Sequence, residues 1–237
     1  MAALCAEIAR VDVQNDVYDL LLDQILSFEI QPGEMLSENM LSGQMNVSKV
    51  VIRDVLSQLA EEGYIVSYPR RGTVVALLDS ERIKQAMQAR VVLEQAVIEE
   101  ICLKGLSDMQ YEALNQIMAE QKGLDERKEI LKLLKSEQRI KRLLSEYCKK
   151  EHIWDFFRVL EGDLLRINYL SYSHFNYKVH LTSLTSWEHT MVEERMLLEN
   201  LRRGDVEAAM MLCSSHSNSV LWNMDTLRSI YPHYFEQ

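Results

Sequence analysis

The stretch Val47-Ser48-Lys49-Val50-Val51-Ile52-Arg53-Asp54-Val55-Leu56-Ser57-Gln58-Leu59-Ala60-Glu61-Glu62-Gly63 decides the fold. Ser48 suits a helix N-cap, where its hydroxyl accepts from backbone N–H groups of the first turn. Gly63 stands where a left-handed residue usually ends a helix. Between them Ile52, Val55, Leu56 and Leu59 recur at helical spacing and form one apolar stripe. Lys49, Val50 and Arg53 fall on the opposite face, near the N-terminal end. A helix with a buried rear, and with a hydroxyl and two cations at its front, suits the DNA major groove. An ordinary surface helix with scattered charge has the same pattern, and the flanking segments separate the two.

Upstream, apolar residues at 13, 17, 20, 21, 25 and 28 predict an amphipathic helix over Val13–Phe28. Gln31-Pro32-Gly33 is a turn. Ser37 is expected to cap a short helix, Glu38–Met45, with Met40, Leu41 and Met45 inward. Asn46 is a left-handed link into Val47-Ser48, so two helices meet across a very short turn. Downstream, Tyr64–Tyr68 reads as a strand, Pro69-Arg70-Arg71-Gly72 as a turn carrying two cations, and Thr73–Ala76 as the return strand. A helix, a helix-turn-helix and a basic-tipped hairpin make a winged helix-turn-helix.

The chain has 237 residues and a net charge of −10, which at first argues against nucleic acid. Residues 1–78 hold only 5 cations against 11 acids. Four of those cations are Lys49, Arg53, Arg70 and Arg71, and seven of the acids precede residue 37. Local charge, not the total, decides phosphate contact. Only 3 prolines and 8 glycines favour long helices over a large sheet. No apolar run approaches the roughly 18 residues of a membrane span, and residues 1–10 do not resemble a secretory signal. Cys5, Cys102, Cys148 and Cys213 are dispersed and read as reduced thiols of a cytoplasmic protein.

The pattern Ile30-x-Pro32-Gly33-x-x-Leu36-Ser37-Glu38-x-x-Leu41, then Val47-Ser48-Lys49-x-x-x-Arg53-x-x-Leu56-x-x-Leu59-x-x-x-Gly63, then Pro69-x-x-Gly72-x-x-Val75, resembles the DNA-binding domain of the GntR family of bacterial transcription regulators. The resemblance spans residues 13–76. It implies DNA contacts from Ser48, Lys49, Val50, Arg53, Arg70, Arg71 and Gly72. Asn39 departs from it, standing where many members carry a cation, so a phosphate contact there is weakened or lost.

From Asp79 onward the pattern is helical almost throughout. Helices are expected over 80–104, 107–123, 125–150, 152–171, 185–203 and from 205 to just before Pro232, with a polar, aromatic loop over 172–183. Within the first, Ile83, Met87, Val91, Leu93 (or Val92), Ala96 and Ile101 are the apolar positions. Six helices after a GntR-like domain resemble the FCD effector domain of the FadR subfamily. The resembling residues are Arg90-x-x-Leu93-Glu94, and Leu201-Arg202-Arg203-Gly204-Asp205 with Ala208, Ala209 and His216, over residues 81–226. The resemblance implies a bundle that binds a small organic acid, often above a divalent metal.

In the metal-binding members an Asp and a His four apart on one helix combine with two further histidines. Anchored on Asp205, the resemblance places these four at Glu137, Lys141, Glu194 and His216, so one of three histidines survives. Lysine is a poor ligand for zinc or nickel. Three arrangements fit. Lys141 replaces the metal and supplies the charge that Glu137 and Glu194 need. Alternatively Glu137, Glu194 and His216 keep a metal while Lys141 turns away. Or these residues are surface charges and a satisfied core histidine. Arg90 and Glu94 face the expected bundle interior, where Arg90 either anchors a ligand carboxylate or makes an interhelical ion pair. His189 and Glu193 are four apart, off that face, and either pair on a metal or belong to a solvated helix surface.

The sequence therefore leads to a mainly α protein, with a winged helix-turn-helix over 1–78 and an all-α six-helix FCD-like domain over 79–237. The expected function is a cytoplasmic, homodimeric, metabolite-responsive transcription regulator. It is expected to be a repressor reading a short inverted repeat in double-stranded DNA and answering a small anion. Dimerisation is implied by the resemblance alone. The ligand-binding residues are then Arg90, Glu94, Glu137, Lys141, Glu194 and His216, with no metal, no cofactor and no catalysis. A winged-helix protein-interaction module, favoured by the acidic total, and an enzyme using Glu137, Glu194 and His216 are the two other classes.

Overall fold

The computed structural model describes the backbone of residues 2–70, 72–126, 128–175 and 186–237, and their side chains apart from residues 2–11, 159, 175, 186, 216–220 and 222. The chain divides into two compact units, Met1–Asp79 with Tyr231–Gln237, and Ser80–Ile230. The last seven residues thus belong to the first unit, not to the 79–237 domain expected from the pattern. There Leu78 N–H donates to the Tyr234 carbonyl at 2.8 Å, and Glu236 N–H donates to the Leu78 carbonyl at 3.0 Å. The Phe28 and Tyr234 rings stack at 5.2 Å. Backbone pairing between positions so far apart leaves no periodic trace in the sequence.

The first unit runs α1 (Ala2–Leu26), β1 (Met35–Leu36), α2 (Glu38–Met45), α3 (Lys49–Glu61), β2 (Ile65–Tyr68) and β3 (Gly72–Val75). α1 starts well before the expected Val13 and stops at Leu26, because Phe28 takes a left-handed φ of 61°. α2 begins at Ser37, whose hydroxyl accepts from Met40 N–H, and ends at Asn46 with φ 53°, the left-handed link expected there. Ser48 then caps α3 by accepting from Val51 N–H at 3.3 Å. Ile52, Val55 and Leu59 of α3 are completely buried, and α3 packs on α1 and α2. Met40, expected inward, is instead 63% exposed, so Leu41 alone of α2 is fully buried. β3 lies between β1 and β2, antiparallel to both, with Ile65 opposite Val75 and Tyr68 opposite Gly72. β1 was not anticipated, since two residues carry no usable alternation.

The second unit holds α4 (Ser80–Lys104), α5 (Asp108–Lys122), α6 (Ile130–Tyr147), α7 (Glu151–Phe175), α8 (Ser186–Arg203) and α9 (Val206–Ile230). α4 is central and packs against α9, α7, α6 and α8. Its buried face reads Ile83, Met87, Arg90, Glu94, Val97, Ile98 and Ile101, so two charged residues interrupt the apolar stripe, and Val92 is exposed. A complete capping box on Ser107 starts α5. α6 begins five residues later than expected, where Glu129 Oε2 accepts from Asp125 N–H and Glu129 N–H donates to the Asp125 carbonyl at 2.9 Å. α7 continues through the expected loop as far as Phe175, and residues 176–183 of that loop, with Thr185, lie outside the described residues. Cys102, Cys148 and Cys213 are buried free thiols, while the side chain of Cys5 is outside the described set. Among the described residues no helix is long and apolar enough to cross a membrane.

Gly204 joins α8 to α9 with φ 71°, and a Cβ there would lie 3.1 Å from the Cys102 carbonyl oxygen of α4. The position requires both left-handed backbone and a missing side chain. Gly204→Ala is expected to lower stability by more than about 1 kcal/mol, read as a fall in the urea midpoint of the full chain. An unchanged midpoint would show that neither constraint costs energy.

Candidate functional site

On the first unit, Ser48, Lys49, Val50 and Arg53 are all solvent-exposed around the front of α3. Arg53 is held there by Glu38 of α2, with Nη2 to Oε2 at 2.9 Å and Nε to Oε1 at 3.3 Å. That two-pronged hydrogen bond from Arg53 holds the Glu38 carboxyl below its usual range. The pair is exposed, 65% on Arg53 and 38% on Glu38, so it orients the guanidinium without sequestering it. Glu38, the first residue of α2 after the Ser37 cap, was not foreseen as the partner. Arg70 sits at the wing tip with a left-handed φ of 64°, followed by Gly72 at 94°. Ser67 and Thr73 hydroxyls meet across the wing at 2.9 Å. Arg71 lies outside the described residues.

On the second unit, a cavity of about 70 Å³ is walled mostly by apolar side chains, among them Val97, Leu114, Ile140, Phe157, Leu198 and Leu201. Glu94, Glu137, Lys141 and Glu194 all reach its lining, from α4, α6 and α8, together with Glu193 and Cys213. Four of the six expected ligand residues therefore converge. Arg90 stands behind Glu94, giving Nε to Glu94 Oε1 at 2.8 Å. This is an ion pair within one helix, where the sequence reading left open a ligand anchor or a pair between helices. Burial works to lower the Arg90 pKa, but Glu94, Glu161 and Glu137 outweigh it and raise the value, so the guanidinium stays charged. The Lys141 ammonium lies 3.1 Å from the same Glu94 oxygen. His216 is on α9, but its side chain lies outside the described residues.

Glu137 is buried and accepts from Tyr172 Oη at 3.0 Å, and that hydroxyl also meets Thr190 Oγ1 at 3.0 Å. Burial, then the charge of Glu137, pushes the Tyr172 phenol well above its usual range, so it remains a donor. Tyr172 was missed because the sequence placed it in a loop. Glu193 accepts from Ser215 Oγ at 3.2 Å and lies 3.5 Å from His189 Nδ1. His189 is 47% exposed, but Glu193 is only 11% exposed and lines the cavity, so the pair is neither wholly solvated nor off that face as the sequence had placed it.

The described donor set does not fit a divalent metal. Lysine offers three donors and no lone pair while protonated, and Lys141 Nζ lies buried at the cavity wall beside Glu94. Among the described residues no group of three or more His, Cys, Asp or Glu is arranged to hold an ion.

Glu161 on α7 is buried beneath the site and accepts from Gln138 Nε2 at 2.8 Å. Burial pushes its carboxyl from 4.5 up to about 7, against the opposing pull of Arg90. The folded chain thus binds a proton that the unfolded chain releases. Its contribution to stability is full below about 4.5 and lost as the pH rises through about 7. Glu161→Gln is expected to flatten the fall in urea midpoint between pH 5 and pH 8. Parallel profiles for the two proteins would show that Glu161 ionises normally.

Comparison with known proteins assigns a family to each part of the chain. Residues 13–75 match the family of bacterial regulatory proteins of the gntR type, and residues 85–219 match the FCD domain. The HTH-type transcriptional repressor RspR of Escherichia coli is 27% identical over 162 residues, covering 68% of this chain and 71% of the relative. The gluconate operon transcriptional repressor of Bacillus subtilis is 34% identical over 84 residues, 35% of this chain and 34% of the relative. The fold is shared with E. coli McbR/YncC, with a TM-score of 0.66 at 14% identity over 94% of this chain and 98% of that one. It is also shared with a GntR regulator of Rhodococcus, with a TM-score of 0.68 at 16% identity over 88% and 97%. The chain belongs to the GntR family of transcription regulators whose second domain is of the FCD type.

Proposed function

We propose that this regulator is a cytoplasmic homodimer that represses transcription, its winged unit reading a short inverted repeat and its helical unit answering a small metabolite. The observation that carries the DNA half is the exposed front of α3. A capped N-terminus, Lys49 and Arg53 stand free of the core there, in the same unit as a wing ending in Arg70. Helix N-termini and cations suit phosphates, and an arginine suits the two acceptors on a guanine edge. Arg53 reaches a base by exchanging Glu38 for that edge. Ser48, Lys49, Val50, Arg70, Arg71 and Gly72 are assigned the remaining contacts.

The effector is assigned to the cavity lined by Glu94, Glu137, Lys141 and Glu194, with Arg90 behind it and His216 supplied from α9. The small anion that the resemblance implies would find two cations near the cavity, Arg90 and Lys141. It would have to displace Glu94, whose carboxylate already meets both. Carboxylates and a lysine in one pocket could support acid–base chemistry, but the membership of a regulator family supports binding over turnover. A winged-helix module for protein contacts alone would not need exposed cations at a helix front.

Two measurements test the proposal. Arg53→Ala is expected to weaken binding to the operator by about ten- to a hundredfold, with affinity for unrelated duplex much less changed. Equal operator affinity in a variant with wild-type circular dichroism would remove Arg53 from the groove. The chain is also expected to sediment near twice 27.6 kDa and to bind an inverted repeat as a dimer. A monomer that binds DNA one to one at micromolar concentration would overturn the two-fold arrangement.

A further inference from the structure

The polar end of the effector cavity is arranged around a carboxylate of the chain itself. Glu94 Oε1 lies 2.8 Å from Arg90 Nε and 3.1 Å from Lys141 Nζ, while Oε2 accepts from Cys213 Sγ at 3.3 Å. These groups come from α4, α6 and α9, and the Glu94 side chain is only 9% exposed. A guanidinium and an ammonium converging on one oxygen at the end of an apolar cavity is how a protein seats a ligand carboxylate. Here the seat is filled from within.

The rest of the wall opposes a second anion. Glu137, Glu193 and Glu194 line the same cavity, against Lys141 as its one lining cation among the described residues. A carboxylate entering a poorly solvated space beside four others would be strongly repelled. The Lys141 ammonium is buried and makes no aligned hydrogen bond to a described residue. Of its three donors, those not aimed at Glu94 suit a neutral oxygen acceptor such as a carbonyl or hydroxyl.

We propose that Glu94 is a built-in ligand carboxylate that occupies the anion seat formed by Arg90 and Lys141. The effector this chain accepts therefore carries no carboxylate, and is a small, mainly apolar molecule with an uncharged oxygen acceptor. The inference rests on taking the cavity as the effector site. The seat itself is tested without DNA, so failure of the regulator reading would leave the result below standing.

Acetate is the probe, with melting temperature followed in the full-length protein at matched ionic strength in chloride. Glu94→Ala vacates the seat, and is expected to be stabilised by acetate with an apparent affinity at least about tenfold tighter than the wild type, the gain of a charge-assisted contact. Acetamide should not substitute for acetate. Glu94→Gln keeps the volume and is expected to fold and to remain blind to acetate. Should Glu94→Ala be unfolded alone, acetate is expected to restore its helical circular dichroism. Wild-type protein that responds to acetate, pyruvate or lactate as strongly as Glu94→Ala would overturn the proposal. So would a Glu94→Ala protein that neither melts higher nor refolds with acetate.

Discussion

Two charged residues on the buried face of α4 set the terms for the helical unit. Arg90 and Glu94 lie one turn apart on a helix that touches four others, at positions where an apolar stripe would ordinarily continue. Taking either charge out of water alone costs several kcal/mol, roughly, so each needs a partner held in place. They meet each other first, and Lys141 and Cys213 then close on Glu94 from α6 and α9. Glu161 and Gln138 add a second polar layer nearby. The bundle is thereby built around a polar seam, with the apolar cavity beside it walled by Val97, Ile98, Leu114, Leu198 and Leu201 of the cluster that holds the helices together.

The winged unit solves a different problem, that of presenting cations from an acidic chain. The acids of α1 and the cations of α3 and the wing are separated along the sequence, and the fold keeps the front of α3 exposed. Left-handed Asn46 closes α2 through its backbone N–H and the Ser48 hydroxyl caps α3, so a very short turn joins the two helices. Glu38 joins that arrangement by holding Arg53 in a defined pose. An exposed pair of this kind contributes little stability, so exchanging it for DNA costs little.

The same logic separates what binds from what merely resembles a binding set. The positions that the family uses for metal converge on a cavity, as Glu137, Lys141 and Glu194 do. Their chemistry has changed, and an ammonium now stands where a Lewis acid would. A divalent ion beside Lys141 would add like charge in a poorly solvated bundle.

Local rules carried much of this protein in the sequence. Ser37, Ser48 and Ser107 cap helices because their hydroxyls answer unpaired N–H groups a few residues away. The apolar stripe of α3 and the cations of the wing follow from spacing alone, so the winged fold and the exposed front of α3 were legible. Residues 137 and 141 share a face for the same reason. The tertiary structure decided what depends on distant partners. It placed Phe235 beside Leu78 and put Tyr172 on a helix against Glu137. It left Met40 outside and pinned Arg53 to Glu38. Above all, it turned Glu94 toward both Arg90 and Lys141, because three helices, and not one, determine which carboxylate reaches a buried cation first.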